Sequence, residues 1–319
     1  MQIGANVIDI RFEYPSAGSL YGKDEYSSSR ECAVIVEDAA LEPSKAALII
    51  TGDFDSSVRD RLPSELKDHW TSSRGAGDVG AKVMAVGDEV HVLMHEYYFE
   101  PQTDPDFDYE RRNKMITRLA RHESRHVTME QAGEAGGPVI DRDGEARRRF
   151  LHVADAVISE YRAELDVPLK YDMPFTRFDP IDVAAWARGE LTQLVRVDHL
   201  RQIEPKRLAY SVAQVLEIGA KQLAPIAAER KLQGTVAGAP FASSTAASGD
   251  WLAIVSPSWT EFESVLQDVP PSRERIAPDE LAGLTIRLAD VLEYWLQQLG
   301  FAWSDIDGTF LVKARDLYV

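Results

Sequence analysis

Arg121-His122-Glu123-Ser124-Arg125-His126 lies inside a longer run, residues 108–131, whose apolar residues recur at helical spacing. The run therefore predicts a helix. One helical turn separates His122 from His126, so both imidazoles project from the same side and can hold one metal ion between them. Glu123 is offset by one residue, which places its carboxylate beside the metal, where it can accept a proton from water.

This pattern has a purely structural alternative, an amphipathic helix whose two histidines pack on its buried face. The chain contains seven histidines, so a shuffled sequence of this composition would contain His-Glu-x-x-His about once in a hundred trials. The spacing therefore favours a metal site. Two histidines alone hold zinc poorly, so a further ligand from another segment is needed to complete such a site.

Candidates for the further ligand lie on a second predicted helix, residues 145–166. Glu160 and Glu164 stand one turn apart there, beside apolar residues that form the core side of the helix. A carboxylate drawn toward a core needs a cation or strong hydrogen-bond donors, and a metal ion would satisfy it. His152 lies two turns before Glu160 on much the same side. His152 could bind the metal in place of Glu160 or stabilise the oxyanion of the reaction. The structural alternative is that it packs between helices.

The two segments together resemble the gluzincins, the thermolysin-like branch of the zincin metallopeptidases, in which His-Glu-x-x-His is followed by a Glu on a second helix. The resemblance covers roughly residues 90–165. It implies that His122 and His126 bind zinc, that Glu123 is the general base and that Glu160 is the third ligand.

The match to the gluzincin pattern has one departure, at Glu164. Gluzincins place an Asp four residues after the third ligand, where it hydrogen-bonds a zinc-binding His, and this chain has Glu164 there. Glu164 therefore stays open as the ligand in place of Glu160. The segment Glu160-Tyr161-Arg162-Ala163 is also similar to the Glu-x-x-Ala of compact bacterial and phage zincins. The metzincin pattern fits worse, because Met129 and Ala132 stand where it requires Gly and His.

An α+β, zincin-like fold follows from the resemblance. It consists of an N-terminal β-sheet, the active-site helix, the Glu-bearing helix and a mainly helical C-terminal part. The expected domains are a catalytic region, residues 1–177, and a mainly helical domain, residues 178–319. The catalytic region comprises a β-rich part (1–100), the HExxH helix (108–131) and the Glu helix (145–166).

Several runs in the first hundred residues carry strand patterns. They are residues 8–12, 32–36, 46–50, 82–86 and 90–99, with Gly87-Asp88 as a hairpin turn between the last two. Zincin substrates lie extended along an edge strand above the active helix. The resemblance therefore implies this role for the run 90–99, as an exposed or cleft-lining strand. Cys32 is expected to be a small core residue of its strand. Residues 234–249, rich in Ala, Gly, Ser and Thr, predict a mobile loop.

Composition and charge restrict the partners and the compartment. The formal net charge of −17, without a basic face, argues against a nucleic-acid or anionic-membrane partner. No apolar run reaches the length that crosses a bilayer, and the N-terminal residues lack the pattern of a secretory signal. Cys32 is the only cysteine, which fits a reducing compartment, so a cytoplasmic location is expected.

The expected function is that of a zinc-dependent metallopeptidase with Zn²⁺ as its cofactor and a peptide or protein as its substrate. One alternative is a non-catalytic zincin-like module that binds partners. The other is a metal-dependent hydrolase of a non-peptide substrate. Tyr97, Tyr98 and Tyr161 can donate to a tetrahedral intermediate, although aromatic packing is the favoured role for each.

Overall fold

The computed structural model describes residues 8–16, 27–67, 70, 72–74, 77–99, 108–135, 144–168, 179–198, 205–303 and 310–312. The chain divides into two compact units. The first comprises Met1–Ala135 and Asp166–Thr176, and the second comprises Gly136–Leu165 and Arg177–Val319. The expected domain boundary falls between residues 177 and 178, which lie outside the described residues. That division therefore stays a prediction.

The first unit combines a small sheet with helices. Its elements in chain order are β1 (Asp9–Glu13), α1 (Ser27–Ala39), β2 (Ala46–Thr51), α2 (Phe54–Arg61), α3 (Ser64–Lys67), β3 (Ser73–Arg74), β4 (Gly77–Asp78), β5 (Ala81–Val86), β6 (Glu89–His95) and α4 (Tyr109–Gln131). The expectation of an N-terminal sheet followed by a helix over 108–131 is confirmed. Strands and helices alternate in the described part of the first hundred residues.

The main sheet has the strand order β1-β2-β6-β5. Strands β1, β2 and β6 run parallel, and β5 pairs antiparallel with β6 through the predicted hairpin, whose Gly87 has a φ of 63°. Every residue of β2 is buried. Parallel strands are covered on both faces as a rule, and this sheet follows it. One face packs on α1 and α4, and the other packs on α2 and Trp70.

Residues 32–36 form part of helix α1, so the predicted strand there is wrong. Buried positions recur at helical spacing along this segment, whereas Val34 is 46% exposed. The buried positions are Ser29, Cys32, Ala33, Val36 and Ala39. Because β1 and β2 are parallel, the chain between them must cross over the sheet, and a helix provides that connection. Cys32 is a core residue as expected, and burial raises the pKa of its thiol to about 12.

Strand β6 lies inside the sheet, between β2 and β5, so the expected edge-strand role of the run 90–99 is wrong. The strand ends at His95, and Glu96–Tyr98 forms a 3₁₀ turn. His91 is buried rather than cleft-lining. Its Nδ1 accepts a hydrogen bond from Arg61 Nε over 2.9 Å, and its Nε2 lies 2.9 Å from Glu89 Oε2. The antiparallel edge of the sheet is β5.

The second unit is mainly helical, as expected. Its elements are α5 (Glu145–Leu165), α6 (Pro180–Gln193), a π-helical turn (Leu194–Asp198), α7 (Pro205–Leu232), α8 (Ser243–Ala246), α9 (Gly249–Ile254), α10 (Ser256–Gln267), α11 (Pro278–Gln298) and the short strands β7 (Phe301–Trp303) and β8 (Phe310–Val312). Helix α5 is central, since it packs on both α7 and α11. No helix in the described part of the chain is long and apolar enough to cross a membrane.

The segment 234–249, for which the sequence predicts a mobile loop, contacts a buried ion pair at Gly238 and Ala239. Arg230 Nε donates to Glu263 Oε1 over 2.5 Å, and Glu263 Oε2 accepts from the backbone N–H of Gly238 over 2.7 Å. A second guanidinium nitrogen of Arg230 donates to the carbonyl of Ala239 over 2.6 Å. The small residues permit tight turns, and Gly234 and Gly238 adopt φ values of 75° and 74°.

Candidate metal centre

Helix α4 carries both histidines and is fixed near its two ends. The Asp108 side chain accepts from the backbone N–H of Arg111 over 2.8 Å, which caps the first turn. Thr128 Oγ1 donates to the carbonyl of Ala39 over 2.8 Å and so ties the last turns of α4 to α1. The side that packs on the sheet buries Ile116, Ala120 and Val127. The imidazoles therefore project from a well-anchored helix.

The two imidazoles meet at their Nε2 atoms, as the one-turn spacing predicts. His122 Nε2 lies 3.1 Å from His126 Nε2, and the rings are edge to face with centroids 4.9 Å apart. Two nitrogens bound at 2.0–2.1 Å to one tetrahedral metal would be roughly 3.3 Å apart. The observed separation is close to that value. His122 is buried and His126 is half-buried, so the pair lies where the helix still reaches solvent on one side.

Glu160 of α5 joins this pair. One ligand atom from each of His122, His126 and Glu160 lies within 4.8 Å of the others. Among the described residues they form the one group of three or more His, Cys, Asp or Glu side chains close enough to hold a metal ion. Of the three candidates for the further ligand, the structure therefore brings Glu160 to the histidines.

The donor set fits a divalent metal ion. Two neutral imidazole nitrogens and one carboxylate are the ligands that hydrolytic zinc sites use, with the fourth position left for water. Imidazole nitrogen also suits other divalent transition metals, so the donor set alone does not select zinc. The arrangement of His122, His126 and Glu160 can therefore hold a metal ion through three protein ligands.

His152 and Glu164 lie outside that group. His152 is exposed on α5, and Glu164 is buried one turn after Glu160. Glu164 has an interaction partner in the folded protein. A buried carboxylate requires such partners. Glu164 is thus embedded in the protein, while its neighbour Glu160 is half-buried and directed to the histidines.

Glu123 is buried beside His122 on α4, with 7% of its surface exposed.

The three candidate tyrosines differ in how deeply they are buried. Tyr161 is fully buried in the helical core, and burial raises the pKa of its phenol. Tyr98 is also buried, with its hydroxyl close to Gly80, and only Tyr97 is substantially exposed. The favoured packing role therefore holds for Tyr161 and Tyr98.

Sequence reasoning missed Lys221, on α7. Its Nζ lies 3.6 Å from Glu160 Oε1, and the two side chains are 27% and 26% exposed. Within α7 this lysine looks like an ordinary member of the polar face, and nothing in its local sequence links it to Glu160. Only the packing of α7 on α5 brings them together.

Comparison of the chain with protein-family models, with curated proteins and with solved structures gives no match.

Proposed function

We propose that this chain is a zinc-dependent metallopeptidase that hydrolyses peptide bonds, with Glu123 as the general base. The observation that supports the proposal is the convergence of His122, His126 and Glu160, whose ligand atoms lie within 4.8 Å of one another. Two imidazoles and one carboxylate leave a coordination position for water or substrate.

Each residue has a definite task in this proposal. His122 and His126 present Nε2 as lone-pair donors, and Glu160 adds a negative charge that offsets part of the charge of the ion. A zinc ion supplies Lewis acidity at this position. Glu123 accepts the proton of the attacking water and later delivers it to the leaving amine, so the protons balance over one turnover. The buried setting of Glu123 keeps bulk water from competing for this carboxylate.

Strand β5 is the segment that we propose for substrate binding. It is the antiparallel edge of the sheet, and its only described strand partner is β6. A peptide can add to such an edge through main-chain hydrogen bonds. Gly80, just before β5, lies close to the α4 turn that precedes the histidines, since a Cβ added there would be 3.6 Å from Leu119 Cδ2. The edge therefore begins beside the helix that carries the general base.

The test uses the pair of wild-type protein and Glu123→Gln. Both are loaded with zinc, and cleavage of a random peptide library is followed by mass spectrometry. We expect the wild type to cleave, and the variant to keep its zinc while cleavage falls by at least a hundredfold, as is usual for loss of a general base. Persistent cleavage by the variant would contradict the mechanism. Zinc binding without any cleavage by the wild type would favour the binding-module alternative.

A further inference from the structure

A cation lies beside the proposed third ligand within the helical unit. Lys221 Nζ lies 3.6 Å from Glu160 Oε1, and both side chains are about three-quarters buried. An ammonium group has three N–H donors and no lone pair, so Lys221 cannot itself bind a metal ion. Its contact is with the carboxylate, and any influence on a metal acts through Glu160.

Helices α5 and α7 carry several ion pairs along their contact. Lys206 Nζ lies 3.0 Å from Glu145 Oε1, and an Arg149 guanidinium nitrogen lies 2.6 Å from Glu217 Oε2. The pair of Lys221 and Glu160 is the one whose carboxylate also belongs to the candidate metal group. The ordinary alternative is that it is one more surface ion pair, with little consequence for the protein.

We propose that Lys221 is a positioning residue for the metal centre. Its ammonium group engages Oε1 of Glu160 and so orients the carboxylate with the second oxygen toward the histidines. A free Glu side chain samples several rotamers, and ordering it in advance removes part of the entropic cost of metal binding. Partners that orient metal ligands typically contribute 10- to 100-fold to metal affinity. The inference rests on the proposed function only in taking Glu160 as a ligand.

The direction in which metal affinity changes when Lys221 is removed distinguishes a positioning role from electrostatic repulsion of the metal ion. A positive charge near a divalent cation also repels it, and removal of the charge would then strengthen metal binding. Water reaches both side chains, with 27% and 26% exposed, and screens that repulsion. Orientation of the ligand therefore outweighs repulsion in the proposal, and loss of Lys221 weakens metal binding.

The experiment measures the zinc dissociation constant by competition with a chelator of known affinity. Lys221→Met keeps the length and apolar stem of the side chain, and we expect it to bind zinc 10- to 100-fold more weakly than the wild type. Lys221→Arg keeps the charge and donors, and we expect it to recover most of the affinity. Lys206→Met removes a lysine from the same pair of helices and should leave the affinity unchanged. An unchanged or tighter constant for Lys221→Met would overturn the proposal.

Glu160→Ala separates failure of this inference from failure of the proposed centre. If Glu160→Ala loses zinc affinity and Lys221→Met does not, only the positioning role is wrong. If Glu160→Ala binds zinc like the wild type, Glu160 is not a ligand and both proposals fall. Circular dichroism checks that each variant is folded. Lys221→Arg guards against a packing defect, because weak zinc binding in both lysine variants would contradict a role for the charge.

Discussion

Replacing Glu263 by alanine would remove the acidic half of a buried ion pair in the helical unit. The Glu263 side chain is 0% exposed and its partner Arg230 is 10% exposed, at a distance of 2.5 Å. Glu263 also accepts the backbone N–H of Gly238 over 2.7 Å. The pair also binds the backbone at Gly238 and Ala239, so the change tests how much a buried ion pair and its backbone contact contribute to stability.

The expected cost follows from two losses. Breaking a buried ion pair by removing one partner costs about 3–5 kcal/mol, because the other charge stays buried without its counter-charge. Leaving a backbone N–H without its acceptor costs roughly 1–3 kcal/mol. The two losses overlap, and we expect Glu263→Ala to lower the free energy of unfolding by about 4–5 kcal/mol. Glu263→Gln keeps an acceptor for Gly238 but leaves Arg230 without its counter-charge, and we expect it to cost about 3–4 kcal/mol.

Urea unfolding followed by tryptophan fluorescence measures this cost. Five of the six tryptophans lie in the helical unit, at positions 186, 251, 259, 295 and 303, so the signal reports mainly on that unit. Asp268→Ala is the matched control, because Asp268 pairs with Arg287 at 2.7 Å with side chains 58% and 51% exposed. We expect the control to cost about 0–1 kcal/mol. Equal losses in Glu263→Ala and Asp268→Ala would refute the argument from burial.

Two further predictions concern the space around two glycines and the titration of a carboxylate. Gly52→Ala places a Cβ 2.2 Å from the Tyr14 carbonyl oxygen, and we expect it to destabilise the protein by about 1–3 kcal/mol. Gly189→Ala meets open space, and we expect it to stabilise the protein by about 0.4–1 kcal/mol. Thermal unfolding measures both variants, and similar shifts in their unfolding temperatures would contradict the steric explanation. Burial raises the pKa of the Glu130 carboxyl in the folded protein above its value in the unfolded chain. The protonated carboxyl therefore contributes stability at low pH, and this contribution is lost as the pH rises through the folded-state pKa. Glu130→Gln should therefore unfold at a higher temperature than the wild type at pH 7 and show no gain at pH 3; a gain that is independent of pH would contradict this cause.

The two long helices were predictable because their patterns extend over many turns. Residues 108–131 and 145–166 match α4 and α5 within a residue or so at each end. The spacing of His122 and His126 fixes their common direction once the helix exists, since one turn brings them to the same side. Local sequence therefore sufficed for this part of the centre.

The wrong predictions concern secondary structure and strand order that are determined by distant parts of the chain. The run 32–36 has strand-like residues, but parallel pairing of β1 with β2 requires a helical crossover. The order of strands in a sheet is likewise not visible in the sequence of one strand, so the pattern of β6 does not show that β5 occupies the edge. Lys221 and Glu263 contact residues far from them in sequence, and only the packing of the helices shows these partners.

The most direct test of the central claim is the position of zinc in a crystal of the zinc-loaded protein, located by anomalous scattering at the zinc absorption edge. We predict one strong peak about 2.0–2.1 Å from Nε2 of both His122 and His126 and about 2.0–2.2 Å from a carboxylate oxygen of Glu160. A peak bound to other residues, or none at these three side chains, would contradict it.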